Sequence, residues 1–395
     1  MARAVQRVTA TALGPYQTAV VRIGFSLTWL LFLLRELPHR HELYGPDGPW
    51  SWEMARRLIA DNHAFSVLMW SDSGLWFEIV YGLAVLSSAL MLLGWRTRAV
   101  SVVFMAGVLS LQNRSIFMGD GGDNVVHLVA LYLVLVRCGQ VWSLDARRRA
   151  REAREADLGR PARRDVVGPL LWTVLGVLLL VATSYSPVTG EWWLIVLLWA
   201  LWAAQALWWL ACRHAPGEPR TLLDVLANLT HNAALLVIMA EVCLIYATAG
   251  WYKIQGSRWQ DGTALYYPLK LDYFSPWPAV SDLLGSSALM VLLLTYGTVA
   301  VQVAFPFTLF NRKVKNVLLV AMMLEHAGIA VILGLPFFSL AMISADAVFL
   351  PTAFLVWLGS RAERGKDRLL ARRPAGAMPG PRRADEDEPP RTLVG

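Results

Sequence analysis

Ten apolar stretches follow one another along the 395 residues, at roughly 16–34, 75–94, 97–112, 124–141, 167–184, 192–212, 233–251, 284–310, 317–335 and 337–358. A hydrocarbon core of about 30 Å asks a crossing helix for about 20 apolar residues, and most of these stretches reach that length. The pattern predicts an all-α, polytopic membrane bundle of about ten transmembrane helices.

The basic residues sort by loop. Every second connection, counted from the N-terminus, holds Arg3 and Arg7, Arg96 and Arg98, nine residues between Arg137 and Arg164, Arg213 and Arg220, then Arg312, Lys313 and Lys315, and nine from Arg361 onward. Those loops carry 27 of the 36 Lys and Arg. The other connections hold Arg35, Arg40, Arg56, Arg57, Arg114, Lys253, Arg258 and Lys270, while Arg22 lies inside the first span. Cytoplasmic loops collect Lys and Arg, so both termini are expected in the cytoplasm. A miscount by one span would scramble this sorting.

With 56% hydrophobic and 16% charged residues, the chain is too apolar for a soluble domain of its size. One membrane domain over residues 1–358 accounts for it. The net charge of +7 sits in juxtamembrane loops and the tail, where orientation and anionic lipid explain it better than nucleic acid does. Arg outnumbers Lys 31 to 5, a composition that points to a GC-rich bacterium and so to a bacterial plasma membrane. Cys138, Cys212 and Cys243 are odd in number and lack C-x-x-C spacing, which implies no disulfide framework. No small-x-small cleavage site follows Leu34, so the first span reads as a retained helix.

Between the first two spans lies an outer segment of turn residues, Tyr44 to Pro49, and then Trp52, Ala55, Leu58 and Ile59 at helical spacing behind a cap at Ser51. A short helix in the interface plane is expected there. Residues 145–166 read as an Arg-rich cytoplasmic linker, and 359–395, rich in Pro, Arg, Gly and acids, as a disordered cytoplasmic tail. A second outer segment, Tyr252 to Asp282, is dense in Trp and Tyr, as suits the headgroup layer or the wall of a pocket.

Charges within spans are costly, and here they are layered. Glu241, Glu325, His326 and Asp346 fall near mid-membrane; Glu78 and His127 fall near the outer side, with Arg114 and Lys253. Arg22 falls near the inner surface, where it can snorkel. One reading pairs the acids with His, Tyr or backbone groups to fix helix packing. The other is an outward-opening polar cavity between spans two, four, seven and nine, with Glu325 and His326 handling protons.

Three stretches go beyond generic membrane sequence: Leu111 to Ala146, Ala247 to Leu269 and Gly334 to Pro351. Their specific features are Ala249-Gly250-Trp251-Tyr252-Lys253 followed by Trp259-Gln260-Asp261-Gly262, and Asn113-Arg114-Ser115 with a distal Trp142-Ser143-Leu144-Asp145. On these the chain resembles the HTTM (horizontally transferred transmembrane) domain family, related to the membrane part of vitamin K-dependent gamma-carboxylase, over most of 16–358. The resemblance implies that Lys253 is the base that deprotonates a reduced quinone of vitamin K or menaquinone type. The oxygenated quinone then removes a carbon-bound proton from a glutamyl side chain, and CO2 adds. It further implies a site shaped by Asn113, Arg114, Trp259, Asp261 and Gly262 and a secreted peptide or protein as substrate, while the depth of the ionisable groups puts His127, Glu325 and His326 on the cavity. A base working near neutral pH must be unprotonated, against a free-lysine pKa of about 10.4.

The chain departs from the animal enzymes in carrying Arg114 where they have histidine, and in ending in a short tail where they continue into a large lumenal domain. Carboxylation of propeptide-bearing proteins is not expected for that reason. Two other classes stay open: a non-catalytic maturation or export factor for a secreted peptide, and a transporter, for which the mid-membrane acids are the only motive. Asp120 to Asn124 reads as a helix cap rather than a cation site. His39, His41 and Glu42 have only alternate spacing, so no metal site is expected.

Overall fold

The computed structural model describes residues 2–161, 165–189, 192–215 and 217–371. Among them the chain forms helices and turns with no strand. Seven helices are long and apolar enough to cross a bilayer: Pro15–Tyr44, Gly74–Leu93, Val167–Tyr185, Trp192–His214, Glu218–Gln255, Ala288–Thr308 and Arg312–Ile332. Pro336–Phe349 with Thr352–Gly365 adds an eighth if the two are one broken span. These helices make the chain a multi-pass membrane protein in architecture.

Two compact units divide the chain, Met1–Leu350 and Pro351–Gly395. In the first, the main helices are α1 (Ala2–Ala10), α2 (Pro15–Glu36), α3 (Trp52–Asn62), α4 (Gly74–Leu93), α5 (Thr97–Arg114), α6 (Gly121–Leu133), α7 (Leu144–Asp157), α8 (Val167–Thr189), α9 (Trp192–His214), α10 (Glu218–Gln255), α11 (Ala288–Ala304), α12 (Arg312–Ile332) and α13 (Pro336–Asp346). In the second, the described residues form the helix α14 (Thr352–Ala371). Residues 359–371, expected to be disordered, therefore belong to a helix, and the rest of that tail, 372–395, lies outside the described residues.

Local chemistry starts these helices. Pro15 opens α2, where its missing N–H costs nothing. Ser51 accepts from the Met54 amide at 3.3 Å to start α3. Asp120 and Asp123 form a reciprocal capping box on α6, so the Asp-Gly-Gly-Asp turn is a helix cap. The core centres on α2, which packs against α4, α6 and α13, while α4 packs on α5, α12 on α13, and α10 on α11. Trp172 and Trp202 join α8 to α9 by stacking at 3.9 Å, each indole N–H donating to the other's backbone carbonyl at 3.0 Å.

Three of the ten expected spans are not long apolar helices. The stretch 97–112 is helical as α5, but it buries Ser101, Ser110 and Arg114 and is packed by protein. The stretch 124–141 is helical only to Leu133. The stretch 337–358 is broken between α13 and α14.

The second difference has a cause at Arg22. Expected to snorkel, this residue is instead fully buried. Its guanidinium donates to the carbonyls of Cys138 (3.2 Å), Leu92 (2.8 Å), Trp142 (2.8 Å) and Met91. The end of α4 and the unwound 138–142 backbone thus obtain donors that water would otherwise supply. Beside it, Asp145 accepts from the amides of Arg96 (3.0 Å) and Thr97 (2.8 Å) and from the Thr97 hydroxyl (2.9 Å), which caps α5. Trp142 to Asp145 is accordingly a structural knot.

At 1.5 Å per residue, the 38 residues of α10 extend roughly 57 Å, about twice the hydrocarbon thickness. The expected span 233–251 lies in its C-terminal half. The remainder clasps the N-terminal segment: Asn228 donates to Thr9 O (2.9 Å), Asn232 to Val8 O (2.8 Å), and the Leu13 amide donates to Asn232 Oδ1 (2.8 Å). His231 joins the clasp. Its Nδ1 accepts from the Arg137 amide at 2.9 Å, so its Nε2–H donates to Leu13 O at 2.8 Å.

Candidate functional site

The residues singled out in the sequence fall into two groups. The first joins α10, α11 and α12. Lys253 Nζ donates to Gln302 Oε1 at 2.8 Å, and Gln302 Nε2 donates to Glu325 Oε1 at 2.6 Å. One amide thus bridges an amine and a carboxyl group, its orientation fixed by both partners. The row depends on close approach of α10 and α11, for a Cβ at Gly250 would stand 2.6 Å from Val303 Cγ2.

Lys253 also lies 5.2 Å from the centre of the Trp259 ring, a cation–π distance. Trp259 is held by a turn that Asp261 builds. That carboxylate accepts from the Thr263 amide (3.0 Å) and hydroxyl (2.5 Å), with Arg258 at 3.4 Å. The Thr263 hydroxyl and then the Thr263 amide and Arg258 hold the Asp261 carboxyl below the ordinary carboxylate range. Gly262 takes φ +78°, a left-handed conformation that a side chain resists. Tyr296 Oη donates to Gln260 O at 2.6 Å and pins the turn to α11. Arg258 is spent on Asp261 and lies over the Tyr267 ring at 5.2 Å.

Behind this row lies a buried triad. Tyr246 Oη is 3.0 Å from His326 Nε2 and 2.9 Å from Asp346 Oδ1. His326 therefore faces Tyr246, while Glu325, its neighbour in sequence, faces Gln302. Glu241, the remaining acid expected near mid-membrane, bonds Tyr132 and stands apart.

The second group gathers at the end of α5. Arg114 is buried and donates to the carbonyls of Gly45 (2.6 Å) and Trp50 (2.9 Å), and Asn113 donates to Phe65 O at 2.9 Å. Both hold the segment between α2 and α4 in place. Gln112 donates to Asp123 O at 3.0 Å, which turns its carbonyl toward His127 Nδ1, also at 3.0 Å. His127 Nδ1 is therefore the donor. Trp29, Phe32, Gln112, Asn113 and His127 help line a cavity of about 180 Å³.

α13 sends one aromatic residue toward each group. Phe337 meets Phe32, a wall of the cavity, at 5.7 Å, and Phe338 meets His326 at 5.6 Å. Lys253, Trp259, Asp261, Gly262 and Glu325 form one neighbourhood, with His326 behind it; Asn113, Arg114 and His127 form another. Lys253 finds its partner on α11, a helix outside the four expected to frame the cavity.

Sequence reasoning passed over Gln302 and Tyr246. A single amide within the apolar run of α11 was a readable signal for the first, whereas a tyrosine in a span is too common to mark the second. Of the two histidines at 39 and 41, His41 contacts the Glu78 carboxylate through Nε2 at 2.6 Å, beside Arg40 at 2.8 Å, whereas His39 lies 3.8 Å from Glu42. No known protein family, no curated protein and no solved structure matches this chain.

Proposed function

We propose that the chain is a membrane enzyme of the HTTM family that performs carboxylase-like chemistry with a reduced quinone, Lys253 acting as the base. The observation that carries this reading is the Lys253–Gln302–Glu325 row beside the Trp259 ring. An ordinary interfacial lysine would extend its amine to water, whereas this one turns inward onto a fixed amide.

The side chains suit a flat, apolar, hydroxyl-bearing partner. The Lys253 amine uses one hydrogen bond on Gln302, and Trp259 supplies an aromatic face beside it. A reduced quinone, when bound, supplies the reducing power and an acidic hydroxyl. Lys253 takes the proton from that hydroxyl at Nζ. Gln302 accepts from the ammonium so formed, and the Glu325 carboxyl group beyond it compensates the new charge at one amide's remove. Asp261 and Gly262 act through the turn that places Trp259.

The uneven distribution of Lys and Arg supports a topology with both termini in the cytoplasm and Lys253 on the outer face of a bacterial plasma membrane. A secreted peptide or protein is the substrate class that an outer site reaches. A second reading, a non-catalytic maturation factor for such a peptide, is favoured by the broad exposed aromatic surface of Trp251, Tyr252, Tyr273 and Trp277.

The deciding measurement is quinone epoxide formation in membranes holding the wild type or Lys253→Ala at equal abundance. The enzyme reading expects the signal only in the wild type. Equal signals, with full complementation by Lys253→Ala, select the maturation factor.

A further inference from the structure

Three side chains outside the Lys253 row meet at one hydroxyl. Tyr246, His326 and Asp346 are each 2% exposed or less, and the tyrosine oxygen lies within 3.0 Å of both partners. A phenol has a single proton to donate and lone pairs with which to accept. Only two directed arrangements satisfy both contacts. In one, His326 Nε2–H donates to the tyrosine oxygen and the tyrosine O–H donates to Asp346 Oδ1. In the other, Asp346 Oδ1–H donates to the tyrosine oxygen and its O–H donates to His326 Nε2.

Passing from the first to the second breaks the N–H bond at His326 and forms an O–H bond at the tyrosine, which in turn yields its own proton to Asp346. The tyrosine holds one proton at the start and at the end. With Nδ1 of His326 also protonated, one proton has moved from imidazolium to carboxylate, leaving a neutral imidazole and a carboxylic acid; no electrons have been transferred, and the net charge of the three groups is unchanged.

The ends of this chain are also defined. His326 Nδ1 and Asp346 Oδ2 are buried and have no hydrogen-bond partner. An orphaned polar atom costs about 1–3 kcal/mol, and proteins generally meet that cost with ordered water. Here the two orphans are the two termini of one hydrogen-bonded chain. A proton can therefore be accepted at one end and another released at the other, an arrangement that a packing role alone has no need of.

We infer that Tyr246, His326 and Asp346 form a proton relay, open to a buried water at His326 Nδ1 and at Asp346 Oδ2, that serves the neighbouring Lys253–Gln302–Glu325 row. The charged groups that act on the triad are Glu325 from α12 and Lys253 from α10. The turn that follows α11 presents Phe305, 6.0 Å from the Tyr246 ring, and α13 presents Phe338. The relay stands on its own geometry, while its use as the exit for a proton taken by Lys253 rests on the proposed function.

The test uses the full chain in lipid nanodiscs, following the His326 ring nitrogens by ¹⁵N NMR and the Asp346 carboxyl by infrared spectroscopy across pH. Asp346→Asn and His326→Gln assign the two signals. In the wild type both signals are expected to report the same, shared macroscopic midpoints, because a proton on either group is felt by the other. Tyr246→Phe keeps the ring and its packing on Phe305 but removes the link. It is expected to split the midpoints by about one pH unit, the equivalent of one hydrogen bond. Separate midpoints in the wild type, a shared midpoint surviving in Tyr246→Phe, or no response from either group while the protein stays folded would each overturn the relay. Equal epoxide formation in Lys253→Ala alongside a shared midpoint would remove the catalytic role and leave the relay standing.

Discussion

Lys253 and Arg114 both turn a basic side chain into the protein, yet they meet different kinds of partner. Arg114 gives its donors to the backbone carbonyls of Gly45 and Trp50, and Arg22 repeats that pattern with four carbonyls. Lys253 reaches a side-chain amide, and through it a carboxyl group. A carbonyl neither gains nor loses a proton, so an arginine bound to carbonyls is a fastener. An amine linked to a carboxyl group through an amide has two protonation states that its surroundings can favour in turn, so it is equipped for chemistry.

That contrast is sharpest in stability. Arg114→Ala removes two charge-assisted hydrogen bonds, each worth about 1.5–3 kcal/mol, and leaves the 45–50 loop without them. It is expected to lower unfolding stability by about 3 kcal/mol, seen as a depressed melting temperature in nanodiscs. Lys253→Met is expected to stay within about 1 kcal/mol of the wild type. A collapse of Lys253→Met equal to that of Arg114→Ala would erase the distinction.

A smaller effect sharpens the catalytic side. Gln302→Leu conserves bulk while breaking both bonds of the row, and epoxide formation is expected to fall about tenfold, the kinetic equivalent of one good hydrogen bond. Adding Glu325→Gln should then cost little more, because both changes interrupt one path. Full additivity of the two would show that Glu325 acts by another route.

The smallest effect belongs to a surface pair, Arg96 and Asp165, joined at 2.5 Å. The hydrogen bond from Arg96 holds the Asp165 carboxyl down to about 2, against about 3.9 in an unfolded chain. Its folded value is the lower one, so its stabilisation is complete above about pH 4 and fades as pH falls toward 2. Asp165 is 47% exposed, which limits the contribution to under about 1 kcal/mol. Asp165→Asn should remove that small acid dependence and leave epoxide formation unchanged. Urea melts at several pH values would show whether it does.

Much of the scaffold was legible because apolar runs record which helices must avoid water. The stretches 75–94 and 192–212 match α4 and α9 within a residue or two, and the caps at Ser51 and Asp120 were written in local chemistry. The ending of α6 at Leu133 was not legible, since its cause is Arg22, more than a hundred residues earlier. Apolarity at 134–141 reports burial, and burial is compatible with unwound backbone once a guanidinium meets the carbonyls.

The site was partly legible for a similar reason. Lys253, Trp259 and Asp261 lie within nine residues and were read together. Asn113 and Arg114 were grouped with them, but their partners lie in the 45–65 segment. His326 and Asp346 lie 80 and 100 residues after Tyr246, and what the three share is created only when α10, α12 and α13 pack.

The length of α10 has a mechanical consequence. A single continuous rod carries the Asn228–His231–Asn232 collar around the first residues of the chain near one end and the Lys253 amine near the other. With no proline past its first turn, the helix ties the amino-terminal strap to the amine some thirty ångströms away, at about 1.5 Å per residue. Whatever grips residues 8–13 thereby holds a handle on Lys253.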